Sequence, residues 1–161
     1  MAEQVNHPKH YNARPDGLEC IDIIRHYTFD IGCAIKYLWR AGLKTEDGMT
    51  DREKEIEDLK KAIWYINDEL YLGMDLDGFA GMDRGDIGYV YDIIEQETGY
   101  SASEIANFNY YEKNVANAML SLLQVGLVSN GYVYRVKHAV LSLREAIKRI
   151  QARIDELEAG L

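Results

Sequence analysis

Proline is almost absent from this chain, with two in 161 residues, Pro8 and Pro15, both near the start. Beyond Pro15 nothing interrupts a helix for want of a backbone N–H. Cysteine is equally sparse. Cys20 and Cys33 are not spaced as CxxC, which excludes a disulfide scaffold and a cysteine-built zinc ribbon; they read as two buried thiols of a reducing compartment. Long apolar runs are missing as well. The opening "MAEQVNHPKHYNARPDG" is polar, so it reads neither as a secretory leader nor as a membrane anchor, and a soluble, intracellular protein is the expectation. Positive charge is in deficit, 18 Lys and Arg against 27 Asp and Glu, a net −9. General nucleic-acid binding needs a broadly basic face and is not expected. No GxxxxGK[ST] phosphate loop is present, and no segment repeats at a fixed long period.

What is present suits a globular chain: 47% hydrophobic and 28% charged residues, enough for a core without staples. The acids are unevenly placed. Residues 1–44 carry 6 cations and 5 acids, residues 45–112 carry 5 and 18, and residues 113–161 carry 7 and 4. An anionic ligand is therefore expected at one of the two ends, or between them.

The periodicities predict an all-α fold, a helical bundle with an extended N-terminal arm and a long C-terminal helix. Leu18, Ile21, Ile24 and Tyr27 space out a short helix, and Ile31, Ala34, Ile35 and Leu38 a second, with Asp30 to cap its start and Gly42 to end it. Thr50 and Glu53 form a capping box for a third helix lined by Ile56, Leu59, Ile63, Ile66 and Leu70. "GMDLDGFAGMDRGDIG", residues 73–88, reads as a Gly/Asp-rich linker between a domain at 1–72 and a helical region at 89–161. Its Asp75 and Asp77 do not make a calcium loop, because Phe79 stands in the third ligand position and no Glu in the twelfth. A helix follows over Ile87–Glu97. Ser101 and Glu104 then open another that runs to about Val128. Asn130-Gly131 marks a turn and also carries a hairpin signal. From Val133 through Leu143 and Ile150 to Leu157 apolar residues alternate steps of three and four, a seam for a bundle helix or for self-association.

The stretch from Ile31 to Lys44 holds three cations and no acid. Helical spacing sets Lys36, Arg40 and Lys44 in a stripe nearly opposite the apolar face, with Tyr37 at its edge. One reading is a solvated helix side whose cations suit the C-terminal dipole. The other is an anion site, because a second acid-free stretch, "QVNHPKHYNARP", brings His7, Lys9, His10 and Tyr11. Arg offers phosphate a planar fork, Lys a mobile charge, and a tyrosine ring a stacking surface for a base. The phosphate-binding candidates are thus His7, Lys9, His10, Tyr11, Lys36, Tyr37, Arg40, Lys44 and Lys61. His7 and His10 lack further partners at metal-site spacing, so no metal is assigned. Glu53 and Glu57 stand i,i+4, as in all-α pyrophosphatases that hold magnesium, but no second acidic helix of matching type accompanies them, so magnesium is not evident. Asp58 and Lys61 read as an ordinary i,i+3 pair.

Taken in order, "HYN", "GLECIDII", "CAIKYLWRAGLK" and "EDLKKAIWYINDEL" resemble a short bacteriophage domain of the nucleotide-kinase type, over residues 10–70. Cys33 departs from that pattern, which usually has Asn there. The resemblance implies a phage-encoded nucleotide-binding protein of the infected host's cytoplasm. It further implies a deoxynucleoside monophosphate kinase fed by a nucleoside triphosphate, with Lys36, Arg40 and Lys44 clamping phosphates and His10 or Asp58 handling the proton. Two alternatives stand beside it. One is non-catalytic capture of a nucleotide-derived host defence signal; the other is a structural helical oligomer.

Overall fold

The computed structural model describes residues 11, 17–73, 82–83, 87–107, 113–135 and 138–161. The candidates His7, Lys9 and His10, most of the arm and most of the 73–88 linker lie outside the described residues. Seven helices and a small sheet make up the rest: α1 Cys20–Ile24, α2 Phe29–Arg40, α3 Asp51–Gly73, β1 Met82–Asp83, α4 Ile87–Thr98, α5 Ala102–Asn107, α6 Lys113–Leu123, β2 Val125–Ser129, β3 Tyr132–Arg135 and α7 Ala139–Ala159. The fold is mostly helical, as the periodicities predict. Among the described residues no helix is long and apolar enough to cross a membrane.

The expected caps form. Thr50 Oγ1 accepts from Glu53 N at 3.2 Å while the Glu53 carboxylate accepts from Thr50 N at 2.8 Å, and Ser101 and Glu104 repeat the exchange. Helix α2 begins two residues earlier than the Asp30 cap requires. Thr28 is its N-cap, and Asp30 sits inside the first turn, where its charge suits the dipole. Gly42 follows the helix at φ +74°, a conformation that costs a residue with a Cβ about 1–2 kcal/mol.

The single helix expected from Ser101 to about Val128 is instead two, α5 to Asn107 and α6 from Lys113, and α6 stops at Leu123. Gly126 and the Asn130-Gly131 pair favour a hairpin, and both turn residues have positive φ, 51° and 80°, as a type I′ turn requires. Strands β2 and β3 run antiparallel with Val128 opposite Val133, and an irregularity falls between Val125 and Leu127. β1 adds in parallel on the far side of β3, giving the order β1-β3-β2. Val133 therefore belongs to a strand, and α7 starts only at Ala139.

One apolar cluster spans both halves of the chain. It joins Ile31, Leu38 and Leu59 of the first half to Leu122, Ile150 and Ile154 of the second. The long C-terminal seam is a core helix of the monomer: Leu143, Ala146, Ile150, Ile154 and Leu157 are buried against the rest of the fold. Ion pairs fasten α7 to α3, Arg153 to Glu55 at 3.0 Å and Lys60 to Glu158 at 3.1 Å. Backbone bonds stitch the hairpin to the α1–α2 turn, from Val128 N to His26 O at 2.6 Å and from Thr28 N to Gly126 O at 2.7 Å.

Candidate functional site

Helices α2 and α3 are joined by the short link from Ala41 to Thr50, so they lie antiparallel as an αα-hairpin. Residues at i, i+3 and i+4 on each helix then form a ladder along their outer seam. From one end to the other the rungs bring Asp30 near Asp68, Cys33 to Tyr65, Tyr37 to Tyr65 and Lys61, and Arg40 to Asp58.

The Arg40 rung is closed and buried. Arg40 donates from Nε to Asp58 Oδ2 at 3.1 Å and from Nη2 to Oδ1 at 2.7 Å, a two-pronged pair with Asp58 fully buried. Its remaining nitrogen, Nη1, donates to the Tyr11 hydroxyl at 3.2 Å. Lys54, 1% exposed, reaches the same carboxylate at 3.3 Å and also Glu57 at 2.5 Å and Glu46 at 3.1 Å. Burial works against the Arg40 charge, but the hydrogen bonds to Asp58 and Tyr11 outweigh it and raise its pKa. Hydrogen bonds from Lys54 and Lys61 drive Glu57 down to about 2. Lys44 turns to Glu46 at 3.2 Å.

The sequence places the Lys36–Arg40–Lys44 stripe on a solvated face. In the fold α3 lies across it, and Arg40 is buried there because a carboxylate on the facing helix neutralises it. Asp58 takes Arg40 and Lys54 as partners, and Lys61 takes Glu57. Glu53 is occupied by the Thr50 cap. Among the described residues no group of three or more His, Cys, Asp or Glu is placed to hold a metal ion.

The middle of the seam is open. Tyr37 and Tyr65 stack, with centroids 5.7 Å apart and planes 19° off parallel. Three cations converge on the Tyr37 ring: Arg40 at 4.5 Å, Lys36 at 4.8 Å and Lys61 at 5.8 Å. Lys36 has no acidic partner among the described residues. Trp64 and Phe29 meet the Tyr65 ring edge-on at 4.9 and 6.1 Å, and both are exposed, at 61% and 75%. Burial pushes the Tyr65 hydroxyl up, with the Cys33 and Tyr37 groups adding to it, and burial also raises Asp30, with Asp68 second.

Of the expected site residues, the fold brings Tyr11, Lys36, Tyr37, Arg40, Asp58 and Lys61 to one seam and leaves Lys44 at its edge. Sequence reasoning missed Lys54 and Tyr65. Their spacing signals them: Lys54, Asp58, Lys61 and Tyr65 recur at steps of four and three on the face of α3 turned to α2.

Residues 5–67 match the family model described as a protein of unknown function, DUF3310. The matched segment contains α1, α2, most of α3 and all of the seam from Asp30 to Tyr65. No curated protein and no solved structure matched the chain.

Proposed function

We propose that the α2–α3 seam binds a small phosphorylated ligand of nucleotide type and does no chemistry on it. The observation that carries this reading is the meeting of Lys36 and Lys61, from two different helices, on the half-exposed Tyr37 and Tyr65 rings. The Lys36 ammonium, together with that of Lys61, which also pairs with Glu57, suits phosphate oxygens, and adjoining rings suit a base. Arg40 adds a fixed positive field beneath them while its own hydrogen bonds are taken by Asp58 and Tyr11.

The same geometry favours capture over phosphoryl transfer. Asp58, expected with His10 to handle the proton, is fully buried in its pair with Arg40. Transfer would also have to align two phosphorylated substrates, with few free cations to do it.

Purified protein incubated with pooled nucleoside mono-, di- and triphosphates, then gel-filtered and extracted for mass spectrometry, tests the reading. One class of nucleotide is expected to be retained unaltered, and Lys36→Glu and Lys61→Glu to lose it while still folding. Each lost charged hydrogen bond weakens binding by about 1.5–3 kcal/mol, roughly tenfold or more. New di- or triphosphates in the mixture would establish a kinase instead, and no retained nucleotide would end the proposal.

A further inference from the structure

Among the described residues, several large exposed apolar side chains lie together on one side of α3 and beside it. Phe29, Trp64, Tyr71 and Leu72 are 75%, 61%, 79% and 55% exposed. Trp64 and Tyr71, like Tyr65 and Leu72, stand two turns apart on α3, and Phe29 joins them through the Tyr65 ring. Large exposed aromatic patches of this kind mark contact surfaces in soluble proteins.

The charges around the patch say what covers it. Lys61 and Asp68 lie seven residues apart on the same helix face, equidistant from the midpoint between Trp64 and Tyr65. A two-fold axis through that midpoint, with two α3 helices antiparallel, sets Lys61 of each copy against Asp68 of the other. The exposed rings then meet one another at the centre. Sliding the axis along to Asp68 would instead oppose two like carboxylates, so the charges choose the register. Asp68 has no cationic partner among the described residues, and Asp30 on the facing helix, close enough to repel it, is another acid. An incoming lysine relieves that repulsion.

We infer that a second copy of this chain docks on the Trp64 face of α3, forming a two-fold dimer closed by reciprocal Lys61–Asp68 pairs. The surface is separate from the α7 seam, which the monomer's own core consumes. It borders the ligand seam and shares Lys61 with it, a side chain that also pairs with Glu57 of its own helix, so docking and ligand binding draw on the same ammonium group, although the pairing itself needs no bound nucleotide.

Sedimentation equilibrium on the full chain, without nucleotide, tests it. Wild type is expected to associate to twice 18.4 kDa in the micromolar range. Asp68→Lys alone and Lys61→Asp alone each oppose like charges twice and are expected to be monomeric, with helical circular dichroism retained. Mixing the two variants, or combining both changes in one chain, restores opposite charges and the dimer. A monomeric wild type at hundreds of micromolar would overturn the inference and leave the patch to a different partner. Dimers that survive both single reversals, or a mixture that stays monomeric, would overturn it too.

Discussion

Arg40 and Lys36 occupy the same face of the same helix, four residues apart, and yet the fold treats them in opposite ways. Arg40 is 9% exposed and spends every nitrogen on Asp58 and Tyr11, whereas Lys36 lies half-buried over a tyrosine ring with no ion-pair partner among the described residues. The cause is across the seam. Opposite Arg40, α3 offers Asp58 with Lys54 and Glu57 behind it; opposite Lys36 it offers Tyr65 and Lys61. A run of cations on one helix is thus divided by its neighbour into a fastening end and a presenting end.

The largest expected effect breaks the fastening end. Asp58→Ala leaves Arg40 and Lys54 buried without their shared carboxylate, and urea unfolding should show a loss of about 3–5 kcal/mol. Replacing all three groups by apolar residues of similar size should cost far less, because no charge is then stranded. Next comes Arg40→Lys, which keeps the charge but loses the fork and the Tyr11 bond; the same measurement should fall by about 1.5–3 kcal/mol.

A smaller effect is read with acid. Glu57 is held at about 2, below its ordinary 4.5, chiefly by hydrogen bonds from Lys54 and Lys61. A depressed folded-state pKa contributes stability in full above 4.5, and that contribution drains away as the pH falls toward 2. Glu57→Gln should therefore flatten the loss of stability across that window in a pH series of denaturant midpoints. Smallest is Lys36→Ala. Removing a half-buried charge that has no ion-pair partner among the described residues should leave stability within about 0.5 kcal/mol while nucleotide retention drops about tenfold. A stability loss as large as that of Arg40→Lys would erase the distinction between the two ends.

The helices were legible where local signals agreed. Thr50/Glu53 and Ser101/Glu104 announce their caps, and α4, followed by Gly99 at φ +75°, ends within a residue of the expected Glu97. The stretch after Leu123 was less legible, since Leu120–Val128 keeps an apolar texture that suits helix and strand alike. Gly126 and Asn130-Gly131 decide for strand once Leu127 bridges Tyr27. The seam's chemistry was half legible: spacing puts Arg40 in a cationic stripe and reads Asp58 as an i,i+3 partner of Lys61, whereas in the fold Arg40 and Asp58 face each other. That pairing depends on how two helices return past one another, which no periodicity on a single helix encodes. Lys54 was missed for the same reason, since alone it reads as one more solvated lysine.

The stitch between His26–Thr28 and the hairpin has a consequence for evolution. Residues 126–128 press on that turn so closely that a methyl group on Gly126 would come within 2.4 Å of Thr28 Oγ1. The matched segment, 5–67, thus borrows its roof from sequence outside itself. Any protein that keeps only this segment must thatch Ile31 and Leu59 with some other material, an unrelated tail or a sister subunit. Heirs of the same two helices can accordingly differ in everything attached to them.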